Sequence, residues 1–155
     1  MLIVFCDING IILNHMVPPK TSVTGDYYAW VIKSDLMRAV KRKRPDLIRS
    51  GFILHQDNAP SHESRVLMDT METLGIENLI HPPYSPDLAI CDFWLFPVLK
   101  DNLRGEKYES REDLGTAVNK VLRVMSRDGL DHVFRAWADR WEKCIKARGA
   151  YFEKE

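Results

Sequence analysis

Three prolines within five residues (Pro82, Pro83 and Pro86) stand near the middle of the chain and constrain its folding more than any other feature. Proline has no N–H to give to a ladder or a helix, and it pushes the residue before it toward extended backbone. His81–Asp87 is therefore expected to be a stiff, extended loop, outside any strand or helix. The patterns on its two sides differ. Short apolar runs alternate with amphipathic stretches before it, and only helical spacing follows it.

Before the loop, Leu2–Cys6 is apolar and partly β-branched, and Asp7-Ile8-Asn9-Gly10 comes next. Asn-Gly tolerates positive φ and signals a tight turn, so Ile11–Met16 reads as the returning strand of a hairpin, ended by Val17-Pro18-Pro19. Thr21–Arg44 is helical by the spacing of Tyr27, Val31, Leu36 and Val40. Thr24 or Ser22 caps its start, basic residues crowd its end, and Pro45 stops it. Gly51–Gln56 is a compact strand, Ser61–Leu74 a helix closed by Gly75, and Ile76–Ile80 another strand. Beyond the loop, Phe93, Phe96 and Leu99 share a helix face, with Pro97 as a kink. Ser110–Asp113 starts a further helix, and Val133, Trp137, Trp141, Cys144 and Ile145 mark the last. The order β, β, α, β, α, β and then helices describes a mixed α/β domain.

Composition closes off several classes. The 155 residues carry 22 Lys+Arg against 22 Asp+Glu, so overall charge does not argue for a polyanion partner, while local basic patches stay open. A hydrophobic content of 45% excludes disorder, and the length suits one domain over residues 1–155. Cys6, Cys91 and Cys144 are odd in number and form no C-x-x-C pair, which points to a reducing, intracellular setting. No apolar run is long enough for a membrane helix.

Two acids sit where chemistry is plausible. Asp57 ends an apolar strand before an Asn-Ala-Pro turn, at the sheet edge where α/β proteins place ligand groups. Asp92 follows the proline loop and opens a helix. Carboxylates on neighbouring elements can hold Mg²⁺ or Mn²⁺, and two such ions can activate a nucleophile and stabilise a phosphate leaving group. The plainer alternatives are a turn residue for Asp57 and an N-cap for Asp92. The five histidines show no metal-ligand spacing, and only His62, close in sequence to Asp57, stands out. The Arg38–Arg44 cluster reads as a solvated helix end or a phosphate contact. Trp137 and Trp141 read as core packing, with base stacking as the alternative.

Leu54-His55-Gln56-Asp57-Asn58-Ala59-Pro60-Ser61-His62 and His81-Pro82-Pro83-Tyr84-Ser85-Pro86-Asp87-Leu88-Ala89-x-x-Asp92 together resemble the catalytic core of mariner-type transposases. The 34 residues between the two acids are the spacing by which that group is known. Asp7-x-x-Gly10, Lys43-Arg44-Pro45, Arg140-Trp141-Glu142-Lys143-Cys144 and Tyr151-Phe152-Glu153 extend the likeness over essentially the whole chain. The resemblance implies a ribonuclease H-like mixed sheet flanked by helices. It implies DNA cleavage and strand transfer with Mg²⁺ or Mn²⁺ bound by three acids, a DNA partner, and a nuclear or otherwise intracellular location, and it admits a homodimer. By motif, Asp57 matches the second acid and Asp92 the third.

The first acid of that family lies on a first, central strand roughly ninety residues before the second, and only 56 residues precede Asp57 here. The expectation is thus an N-terminally incomplete core without the first strand or the DNA-reading helix-turn-helix modules, and impaired in catalysis. Its half-sheets would close on each other or accept a partner's strand. The alternative is a non-catalytic remnant or co-opted interaction domain. Asp7 matches the turn between the family's second and third strands and not the first acid. Asp26, in Val23-Thr24-Gly25-Asp26, is only a superficial copy of the first-acid motif.

Overall fold

The hairpin at the start of the chain forms as its residues dictate. In the computed structural model, which describes residues 1–148, β1 (Leu2–Asp7) pairs with β2 (Gly10–Met16) across two turn residues. Positive φ falls on Gly10 alone (127°), so Asn9 does not take the left-handed conformation that the Asn-Gly signal suggested. The Val17 N–H donates to the Met1 carbonyl and closes the open end.

The predicted long helix is segmented. Thr24 caps α1 (Gly25–Val31) by accepting from the Tyr27 N–H; a π-helical stretch, Ile32–Leu36, follows, and then α2 (Met37–Lys43). The helix stops before Pro45, as expected. However, Pro45 also opens a short α3 (Pro45–Ser50), because the first helical position needs neither an N–H nor a φ other than proline's own. β3 (Phe52–His55) follows Gly51. The predicted Ser61–Leu74 helix is confined to α4 (Arg65–Leu74), capped by Ser64 and ended by Gly75 in the left-handed conformation. β4 (Ile76–Leu79) lies parallel to β3, in register Phe52 with Ile76 through His55 with Leu79.

The chain forms two compact units. The first holds Met1–Asp7 and Ile11–Tyr84, and the second holds Ile8–Gly10 with the chain from Ser85 onward. The core of the first joins Phe5 and Ile12 of the hairpin to Tyr28, Val31, Ile32, Leu36 and Val40, and to Leu67 and Met71 of α4. This apolar stripe gives α1, α2 and α4 their places. Among the described residues the strands form two separate two-stranded sheets, β1 with β2 and β3 with β4.

In the second unit the proline loop ends in a 3₁₀ turn, Pro86–Leu88, and a π-helical turn, Cys91–Leu95, leads into α5 (Phe96–Leu103). Pro97 sits in the first turn of α5 and cannot donate to the Phe93 carbonyl four residues back. A reciprocal Ser110–Asp113 capping box starts α6 (Arg111–Met125), and α7 (Asp131–Lys146) ends the described fold. Gly10 and Ser126 meet so closely that a Cβ on Gly10 would lie 2.1 Å from the Ser126 Oγ. The Leu130 N–H also donates to the Ile8 carbonyl at 2.7 Å. The expected Tyr151-Phe152-Glu153 match lies outside the described residues. No helix among them is long and apolar enough to cross a membrane.

Candidate active site around Asp57

The chain leaves β3 at its C-terminal end through Gln56, Asp57 and Asn58. The Asp57 carboxylate then shapes the turn, its Oδ1 accepting from the Ala59 N–H at 3.2 Å. The His62 Nδ1 donates to the same oxygen at 2.6 Å. The Asp57 side chain is nonetheless 49% exposed, against 20% for His62. The turn reading of Asp57 is therefore correct, and it leaves the carboxylate facing solvent.

Behind this edge lies a polar network. The ring of buried Tyr28 of α1 lies tilted against His62, with ring centroids 4.3 Å apart, and its hydroxyl donates to the Gln56 Oε1 at 3.1 Å. The Gln56 Nε2 donates to the His62 carbonyl and to the Asn78 Oδ1, both at 3.4 Å. The Asn58 Nδ2 donates to the carbonyl of buried His81 at 2.9 Å. The His55 Nε2 and the His81 Nδ1 lie 3.0 Å apart. Burial, with His81 beside it, pushes the His55 imidazole down to about 4 against a weaker opposing pull from Asp57. Near neutral pH His55 is uncharged. A cleft of about 320 Å³ opens here, with Asp57, Asn58, His62, Glu63, Asn78 and His81 among its walls.

Asp92 belongs to the second unit and is exposed. It is not the N-cap of its helix. Its own N–H already donates to the Ala89 carbonyl at 2.9 Å, which places it inside the first turn, and the Phe96 N–H reaches back to the Cys91 carbonyl to form the wide π turn. Side chains of α7 hold the chain on both sides of it: the Trp137 Nε1 donates to the Leu88 carbonyl at 2.7 Å, and the Arg140 guanidinium lies 4.3 Å from the Phe93 ring centre. Trp137 and Trp141 meet edge to face on one side of α7 and are half-buried.

The remaining acids have structural work. Asp7 forms a two-pronged ion pair with Arg44, whose Nε and Nη2 donate at 2.6 and 3.0 Å. That bond raises the Arg44 guanidinium above its ordinary value. The Lys43 Nζ donates to the Ile11 carbonyl; burial first, then Arg42 and Arg44, lowers its ammonium, with Asp7 opposing. The end of the basic run thus ties helix to hairpin. Asp26 is exposed in the first turn of α1, where a negative charge suits the helix dipole.

Residues 12–115, more than half the chain, match the DDE superfamily endonuclease family. The chain belongs to that family. It is 34% identical over 156 aligned positions to the mariner Mos1 transposase of Drosophila mauritiana, covering 99% of this chain and 45% of that protein. It is 29% identical to the human histone-lysine N-methyltransferase SETMAR, covering 99% of this chain and 22% of that one. The chain thus spans less than half the length of either relative. In three dimensions it matches the Mos1 catalytic domain solved with raltegravir and Mg at a TM-score of 0.90 and 34% identity, over 98% of this chain and 76% of that one. The Mos1 paired end complex with Mn matches at the same TM-score, over 44% of that chain. This DDE-family chain is a homologue of the Mos1 catalytic domain, and the resemblance to mariner-type transposases is confirmed.

Solvent-facing carboxylate oxygens are the donors that Mg²⁺ and Mn²⁺ prefer, so the chemistry of Asp57 and Asp92 suits these ions. The number of ligands does not, because among the described residues no three His, Cys, Asp or Glu side chains gather as a metal site. Sequence reasoning singled out Asp57 and His62 but missed Tyr28, Gln56, Asn78 and the His55–His81 pair. Tyr28 falls outside the stripe of Tyr27, Val31, Leu36 and Val40 that marks the helix, and the others are brought together only by the parallel pairing of β3 with β4.

Proposed function

We propose that these 155 residues form most of the DNA cleavage and strand-transfer fold of a mariner-type transposase, ribonuclease H-like in architecture, with Asp57 and Asp92 as its metal-binding carboxylates. The observation that carries the reading is the position of Asp57. It is an exposed carboxylate just past the C-terminal end of a parallel strand, above a polar cleft, in a chain that superposes on a catalytic domain solved with Mg. In this reading the partner is DNA, the ion is Mg²⁺ or Mn²⁺, a homodimer is compatible, and the location is nuclear. A bound divalent ion would supply a metal-activated nucleophile and offset charge on the phosphate.

The two separate sheets support a further part of the reading. A two-stranded sheet is marginal alone and has an open edge on each side. A central strand bearing a third acid would pair with both sheets and complete the ligand set. The 155 residues alone are therefore impaired: they bind Mn²⁺ weakly and cleave duplex DNA little or not at all. The lack of a three-ligand cluster among the described residues also favours a second reading, a non-catalytic domain that keeps the fold. Calorimetry with Mn²⁺ on the wild type, Asp57→Ala and Asp92→Ala decides between them. Binding that is lost in both variants supports the metal site, and equal affinities in all three proteins overturn it in favour of the non-catalytic domain.

A further inference from the structure

We infer that His62 is the positioning residue of the Asp57 carboxylate, held in place for that task by Tyr28. This rests on the metal-site reading of Asp57. An exposed aspartate on a turn ordinarily samples several rotamers, and orienting it for a ligand then costs entropy each time the ligand binds. Here one carboxylate oxygen is held from two directions, by the Ala59 N–H at 3.2 Å and the His62 Nδ1 at 2.6 Å. The Nδ1 also lies 3.2 Å from the Asp57 carbonyl oxygen, so the imidazole grips side chain and main chain together.

His62 is itself fixed. Its ring lies against Tyr28 at a 35° tilt, its backbone N–H donates to the Ala59 carbonyl at 2.7 Å, and its carbonyl accepts from the Gln56 Nε2. Tyr28 is 4% exposed, stacks on Phe5 of the hairpin and donates to Gln56, the residue before Asp57. The hydrophobic core of the first unit thus sets the tyrosine, the tyrosine sets the imidazole, and the imidazole sets one oxygen of the carboxylate. Partners just outside a metal's ligands act in this way, and their loss typically costs roughly 10–100-fold in metal affinity.

The test separates holding the carboxylate from merely filling space against Tyr28. Asparagine can place its side-chain amide N–H near the position of the imidazole Nδ1 but cannot stack on a ring. Mn²⁺ affinity is measured by calorimetry on the wild type, His62→Ala, His62→Asn and Asp57→Ala, with circular dichroism confirming that each is folded. Binding is expected to be abolished in Asp57→Ala, weakened about tenfold in His62→Ala, and restored to within about threefold of wild type in His62→Asn. If His62→Ala binds as tightly as wild type while Asp57→Ala does not bind, positioning is wrong and the metal site stands. If His62→Asn is as weak as His62→Ala, the ring acts by packing and the inference also fails. If Asp57→Ala binds like wild type, the metal-site reading itself falls. Should His62→Ala not fold, the His62→Asn measurement and the ¹⁵N-detected imidazole spectrum carry the test. The wild-type spectrum should show a protonated Nδ1 whose proton resonance moves upfield in Asp57→Ala, and an unchanged resonance refutes the bond.

Discussion

Replacing Asp7 with alanine tests whether this acid is structural, and its effect can be worked out from the geometry. The Asp7 carboxylate receives two donors of the Arg44 guanidinium, at 2.6 and 3.0 Å, and each side chain is 22% exposed. A hydrogen bond to a charged group contributes about 1.5–3 kcal/mol, and a fully exposed ion pair at most about 1. A largely covered two-pronged pair falls between two full bonds and that exposed limit, so Asp7→Ala is expected to destabilise by about 2 kcal/mol. For a chain of this length that is a drop of roughly 4–8 °C in Tm. Urea unfolding of the wild type, Asp7→Ala, Arg44→Ala and the double variant gives the coupling energy, expected at about 1–2 kcal/mol and reduced at high salt. Mn²⁺ affinity should not change. A coupling near zero would refute the structural role, and Mn²⁺ binding lost as completely as in Asp57→Ala would make Asp7 a ligand after all.

Two further outcomes follow from the structure. The folded state holds the His55 imidazole near 4 while the unfolded chain titrates near its ordinary value of about 6.5, so the unfolded chain binds the extra proton between those limits. Stability is therefore complete above about pH 6.5 and falls as pH drops toward 4; urea midpoints measured across that range should show the slope, and His55→Gln should flatten it. Gly10→Ala places a methyl group 2.1 Å from the Ser126 Oγ at a φ of 127°, and it should lower stability by about 2 kcal/mol or more, whereas Gly105→Ala, strained at φ 84° but with nothing within 4 Å, should cost less. Comparable thermal melts for the two variants would show that the close approach does not matter.

Much of the first unit was legible before any coordinates, for reasons specific to its residues. Thr24 in the first unit, like Ser110 in the second, caps a helix because its oxygen satisfies an N–H group that the first turn leaves open, which is chemistry within three or four residues. Gly75 ends α4 because glycine enters the left-handed conformation without penalty. The π turns at Ile32–Leu36 and Cys91–Leu95 were not legible, since a one-residue change in hydrogen-bond register leaves apolar spacing almost unaltered. The same blindness left an N-cap among the alternatives for Asp92, which the structure places inside the first turn. Pro45 was read only as a stop, although proline serves equally well as a start.

Two things about this protein were settled by its sequence alone. One is the alternation of strands and helices, written in local periodicity and turn chemistry. The other is the pair of acids with 34 residues between them, written in motifs dense enough to indicate the family. Tertiary structure alone decided what each acid does with its neighbours. Asp7 is taken up by Arg44 from 37 residues away, and Asp57 is gripped by a histidine that rests on Tyr28 of α1. Side-chain partners at such separations depend on how apolar faces pack, and the chain's local pattern specifies those faces without specifying which polar atoms the packing brings within 3 Å.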